Sequence, residues 1–140
     1  EVGSLSARDL LMLGIGLYWG EGIKSRTGPA ALVNSNPEVL RVAKMWFVKC
    51  LGVKLSDFRP YIYIPEHHRS RESIIVDYWT KKLSIPKSQF KSPIYITQKP
   101  RQKYENHDAY YGVVALRVAK STNLKYQVQG LITACAKVLE

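Results

Sequence analysis

The stretch Leu10–Gly22 carries no charge until Glu21 and is broken by Gly14, Gly16 and Gly20 before it closes on Gly22. Ahead of it, Ser6-Ala7-Arg8-Asp9 has the form of a capping box, with Ser6 at the N-cap and Asp9 at the third helical position. A helix is expected from there. Leu10, Leu13 and Leu17 fall on one flank and Leu11, Ile15 and Tyr18 on another, so the helix is expected to be buried from several directions. Each interior glycine costs a helix roughly 1 kcal/mol relative to alanine. Gly16 and Gly20, four apart on one face, recover that cost if a second helix approaches closely where they lack side chains.

Gly22–Gly28 reads as strand or loop, and Ala30–Val33 as a short strand. Asn36-Pro37 starts a second helix, an N-cap with proline at the first helical position, and Gly52 ends it. Arg59–Ile64 alternates as a strand, and Glu72–Leu83 is a third helix ended before Pro86. Pro93–Thr97 and Gly112–Val118 are strand candidates flanking the polar connection Gln98–Asp108, and Ser121–Val138 is the last helix. The resulting order, α-β-β-α-β-α-β-β-α, predicts one α+β domain spanning residues 1–140. Helices cover one face of its sheet, and the other is left for a partner.

Charge narrows the partner. The chain has 21 lysines and arginines against 11 acids, a formal +10 over 140 residues, which favours a polyanion. Seven of those cations, Lys81, Lys82, Lys87, Lys91, Lys99, Arg101 and Lys103, occur with no acid between them. Arg59, Tyr61, Tyr63, Tyr95, Gln98, Gln102, Tyr104, Asn106 and Arg117 add aromatic and hydrogen-bonding reach, so the sheet face suits a DNA major groove. The plainer reading is a solvated basic loop. No run of eighteen apolar residues exists and the start carries no basic-then-apolar leader, so a soluble intracellular protein is expected, with no membrane partner. Cys50 and Cys135 are expected as buried thiols. No glycine loop of nucleotide-binding form is present, so no nucleotide cofactor is expected. His67-His68 with Asp77 invites a metal reading, and His107-Asp108 a general-base pair. Adjacent histidines are expected to point apart and to lack third and fourth ligands.

The segment Gly14-Ile15-Gly16-Leu17-Tyr18-Trp19-Gly20-Glu21-Gly22 resembles the LAGLIDADG motif of homing endonucleases, with glutamate in place of the motif's closing aspartate. Leu32–Ser35 followed by the helix from Pro37 is similar to the segment after that motif, as is the arrangement of Trp79, Ile85-Pro86 and Gln89-Phe90 in single-motif relatives. The resemblance implies a homodimer whose motif helices meet at the two-fold axis through Leu13, Gly16, Leu17 and Gly20, and saddle-shaped, mixed or antiparallel sheets in the major groove of a long, partly palindromic duplex. It further implies magnesium or another divalent cation held by Glu21 of each copy, DNA phosphates and the Gly20 carbonyl.

Lys24, Arg117 and Lys120 are the basic candidates for assisting cleavage, Lys24 being equally suited to a plain phosphate contact. Arg26 and Asn34 join Arg59, Tyr61, Tyr63, Lys87, Lys91, Tyr95, Gln98, Lys99, Arg101, Lys103 and Arg117 as DNA contacts, although Asn34 also reads as a strand-end cap. The resemblance thus points to a metal-dependent, sequence-specific endonuclease. A DNA-binding regulator that has lost cleavage, on the same scaffold, is the alternative.

Overall fold

The capping box at Ser6 forms as its residues dictate. In the computed structural model, which describes residues 1–97 and 107–140, the Asp9 N–H donates to Ser6 Oγ (3.1 Å) and the Ser6 N–H to the Asp9 carboxylate (2.8 Å). The bond from the Ser6 N–H, and then the one that the Ser6 hydroxyl donates to the same carboxylate (2.7 Å), hold the Asp9 carboxyl below its usual range. The helix they start, α1, spans Ala7–Glu21. It ends where Gly22 returns to extended backbone while its N–H still reaches the Tyr18 carbonyl.

The remaining elements are β1 (Ala31–Asn34), α2 (Pro37–Leu51), β2 (Tyr61–Pro65), α3 (Glu72–Leu83), β3 (Ile94–Ile96), β4 (Val113–Arg117) and α4 (Thr122–Val138). Local chemistry sets the limits of α2. The Asn36 side chain accepts from the Glu38 N–H, and Gly52 caps the far end in the left-handed conformation (φ 69°). Of the strand and loop readings of Gly22–Gly28 the loop holds, with one antiparallel bridge, Gly22 with Leu32. Beyond Ile23 this segment, with glycine at φ 85° in Gly28, loops away from β1.

Strand order is β1-β4-β2-β3, with β4 antiparallel to both neighbours and β3 parallel to β2. The protein is therefore a small α+β domain, in which the described residues form a four-stranded mixed sheet flanked by four helices. Alternation sorts its residues: Leu32, Ile62, Ile64, Val114 and Leu116 are buried in the core, while Tyr61, Tyr63, Val113 and Arg117 are half-exposed. α1 and α2 both lie against β1.

The core is built round Tyr18, Trp46, Phe47 and Phe58, whose rings meet at 5.0–6.2 Å between centroids. α1 and α2 approach at Gly14, where an added Cβ would come within 2.0 Å of the Trp46 ring. The expectation that α1 is buried from several directions is corrected by this arrangement. Gly14, Ile15 and Tyr18 are buried, Leu10, Leu11 and Leu17 partly so, and the opposite side is bare. α2, α4 and β1 cover the rest of the helix, while Met12, Leu13 and Trp19 find no cover among the described residues. Cys50 and Cys135 are free and half-buried.

Candidate functional site

The bare side of α1 is a stripe. Met12 (42% exposed), Leu13 (46%), Gly16, Trp19 (46%) and Gly20 recur at helical spacing, and among the described residues no atom outside the helix's own backbone lies within 4 Å of where a Cβ of Gly16 or Gly20 would stand. Leu17, the fourth residue expected at a helix contact, is half-buried against the core instead. The stripe carries no charge until it ends at the exposed Glu21, which makes no ion pair or side-chain hydrogen bond among the described residues. Lys24 folds back over this end: its ammonium donates to the carbonyls of Trp19 (2.9 Å) and Gly22 (3.1 Å), and not to that of Gly20. A cation on the last carbonyls of a helix is a favourable C-terminal cap, so Lys24 has a structural task here.

The loop after Lys24 is held by a residue that the sequence reading passed over. Lys125 of α4 is buried, and its ammonium donates to the carbonyls of Thr27 (2.7 Å) and Gly28 (3.3 Å) and to Ser25 Oγ (3.4 Å). Its position at the helical spacing of Val128 and Ile132 was the available signal. Arg26 is exposed on the loop so anchored. Lys120 is exposed in the turn between β4 and α4, in the left-handed conformation (φ 49°).

Arg117 sits on the sheet. Its guanidinium lies 4.1 Å over the Tyr61 ring and donates to Tyr63 Oη (2.8 Å), while its Nε is buried with no partner among the described residues. Ladder pairing places Arg117 opposite Ala31 on β1, and Gly22 opposite Leu32 on the far edge of the same strand. Two strand spacings, about 10 Å, thus separate the backbones of Arg117 and Gly22. The topology brings Glu21, Lys24, Lys120 and Arg117 to one end of the sheet, with Arg117 on its open face.

Of the other residues expected to meet DNA, Lys87 and Lys91 are exposed and Ile94 and Ile96 extend the open face beside Tyr63. Tyr95 alternates to the opposite side, paired with Ile64, where Arg69 lies 3.8 Å over its ring and its hydroxyl donates to the Glu72 carboxylate. Burial and that carboxylate push its phenol up to about 12. Arg59 turns back to the carbonyls of Ser56 (2.6 Å) and Phe58 (2.8 Å). Asn34 accepts from the Asn36 N–H (2.7 Å), the strand-end cap that its position allows. Gln98, Lys99, Arg101, Gln102, Lys103, Tyr104 and Asn106 lie outside the described residues.

A second polar centre was not expected. His67 and His68 stand in the 3-10 turn Glu66–Arg71 after β2, and His107 in the turn His107–Ala109 before β4. The two neighbours do not point apart. Their rings lie 4.4 Å from each other, and His107 stacks on His68 at 4.2 Å with 14° between planes. One nitrogen of each lies within 4.8 Å of the other two, close enough together to chelate a divalent ion. Arg71 joins the two turns: Nη1 donates to the carbonyls of His107 (2.9 Å) and Tyr110 (2.8 Å) and Nη2 to that of Asp108 (2.7 Å), with His68 Nδ1 also 2.9 Å from Nη1. Burial, then His107, His67 and Arg71 nearby, lowers the His68 imidazole to about 4, so it is neutral at physiological pH. His107 joins the pair from 39 residues along the chain, and nothing in the local pattern announces that.

Comparison with known proteins finds no match to the chain among family models, curated proteins or solved structures. No helix among the described residues is long and apolar enough to cross a membrane.

Proposed function

We propose that the protein is a homodimeric, sequence-specific endonuclease of the LAGLIDADG type, which hydrolyses both strands of a long, partly palindromic DNA duplex with magnesium or another divalent cation. The observation that carries this reading is the uncharged, glycine-notched stripe of α1 ending at Glu21, a carboxylate with no partner among the described residues. A second copy of α1, laid on Leu13, Gly16 and Gly20 about a two-fold axis, covers Met12 and Trp19 and brings two Glu21 side chains to one point.

The residues fit a hard cation in part. The Glu21 carboxylate is oxygen-donating and exposed, and Lys24 leaves the Gly20 carbonyl untouched, but one chain supplies a single carboxylate beside a lysine. Two copies and DNA phosphates would complete such a shell, where the ion would lower the pKa of bound water and offset charge on the leaving oxygen. On this reading a saddle-shaped sheet enters the major groove with Tyr61, Tyr63 and Arg117, while Lys87, Lys91 and Arg26 meet phosphates.

The alternative, a DNA-binding regulator without cleavage, draws on the basic candidates. Lys24 is occupied as a helix cap and Arg117 is bound to two tyrosines, which leaves Lys120 the freest cation at that end of the sheet.

Incubation with a randomised duplex library and magnesium, sorting bound from cleaved molecules, separates the two. For an endonuclease, Glu21→Gln lowers cleavage at least about a hundredfold and keeps binding. Binding without nicking under any divalent metal supports the regulator, and neither binding nor cleavage overturns both.

A further inference from the structure

The carboxylate end of α1 and the imidazole cluster are chemically unlike. An oxygen ligand on an exposed helix end suits magnesium, whereas three imidazoles with no carboxylate among them suit zinc, nickel or copper. We infer that His67, His68 and His107 form a binding site for a zinc-class ion, independent of Glu21, that clamps the turn after β2 to the turn before β4.

Four features of the cluster support this. The three residues converge from two turns, two on Glu66–Arg71 and one on His107–Ala109, so a shared ion ties segments otherwise joined here by Arg71. The ring centroids lie 4.2–5.5 Å from one another, so the three imidazoles already occupy one small volume. The nitrogens are near but not at ligating positions. Zinc–nitrogen bonds of about 2.1 Å in a tetrahedron set nitrogens about 3.4 Å apart, so separations of up to 4.8 Å close by ring rotation with little backbone movement.

The fourth feature is the hydrogen-bond arithmetic at Arg71. Nη1 has two hydrogens and meets three acceptors at 2.8–2.9 Å: the carbonyls of His107 and Tyr110 and His68 Nδ1. The two carbonyls use both hydrogens. His68 can therefore turn a lone pair to the other imidazoles without orphaning a buried donor. With exposed His67 as the outer ligand, water completes the tetrahedron. The nearby guanidinium weakens cation binding without blocking a nitrogen once the ring has turned.

The test uses the full chain stripped of metal by a chelator. Zinc chloride alone is expected to raise the melting temperature by about 5–10 °C at saturation, while magnesium chloride leaves it unchanged. Cobalt chloride is expected to give the visible absorption of a tetrahedral nitrogen site, and zinc to shift three imidazole resonances in nitrogen-15 NMR. His67→Gln and His107→Gln should each weaken the zinc response at least about tenfold, whereas Glu21→Gln should leave it intact. A flat melt with a colourless cobalt titration overturns the inference, as does a full zinc response in the His67→Gln/His107→Gln double variant. If a variant does not fold, the cobalt and imidazole spectra of the unaltered protein still decide. Because those readouts need neither DNA nor Glu21, loss of the endonuclease reading leaves this site standing, and the reverse also holds.

Discussion

Gly14 and Gly16 stand two residues apart in one helix, equally unfavourable to it, and the fold uses them in opposite ways. Gly14 faces inward, where the Trp46 ring occupies the space a side chain would need; Gly16 faces outward with nothing inside 4 Å. Gly20, one turn on, repeats Gly16. Glycine at the first position is thus explained by the chain's own packing, and at the other two by nothing among the described residues. The contrast separates the face of α1 that folds the domain from the face left uncovered among the described residues.

The largest effect should come from the inward glycine. Gly14→Ala puts a methyl group 2.0 Å from Trp46 carbons, inside a buried aromatic cluster with no flexible end to yield. Overpacking of that severity costs about 3 kcal/mol, read as a lower urea midpoint. In a Trp46→Leu background, itself destabilised, the same substitution should cost less, and a double-mutant cycle measures the difference. Equal costs in both backgrounds would break the assignment of Gly14 to the α1–α2 contact.

The outward glycines should respond with the opposite sign. At concentrations where the chain is monomeric, Gly16→Ala should raise stability by up to about 1 kcal/mol, because alanine is the better helix former and its methyl meets open space. In sedimentation at higher concentration, Gly16→Leu and Gly20→Leu should shift the protein toward monomer. A wild-type chain that stays monomeric, or a leucine variant that sediments unchanged, sinks the helix-to-helix dimer and with it the shared pair of Glu21 carboxylates.

This contrast also marks where the sequence was readable. The ends of α1, α2 and α3 followed from side chains within a few residues: Ser6 with Asp9, Asn36 with Pro37, Gly52, and Leu83 before Pro86. Which glycine meets a neighbour was not readable: the helical period puts Gly16 and Gly20 on one face and Gly14 off it, but Trp46 lies 32 residues beyond Gly14 and the period cannot say which face it meets. The same limit hid the imidazole cluster and the buried Lys125. Each depends on chain segments remote in sequence meeting in space, His107 with His67 and His68, and α4 with the loop at Ser25–Gly28. Local rules did place Glu21 at the helix end and Tyr61, Tyr63 and Arg117 on two strands. They could not show Arg117 stacked on Tyr61, or Tyr95 turned to the other side of its strand.

The smallest effect belongs to the start of the helix, where the two faces have not yet diverged. Ser6→Ala removes the acceptor for the Asp9 N–H and should lower stability by about 1 kcal/mol. Its pH dependence identifies the cause. The Asp9 carboxyl is held below its ordinary value by the bonds from Ser6, so its contribution is present above that value and is lost as pH falls through the lowered value of the folded state. The Ser6 N–H bond survives in Ser6→Ala, so the urea midpoints of the two chains should draw closer as pH falls through the carboxylate range only by the share of the Ser6 hydroxyl bond. Because the cap acts on the whole helix, Ser6→Ala should leave self-association of the folded chain unchanged. A Ser6→Ala chain that folds fully yet loses association would mean that the N-terminal turn, with exposed Leu5, belongs to the contact surface and that the outward stripe begins earlier than Met12.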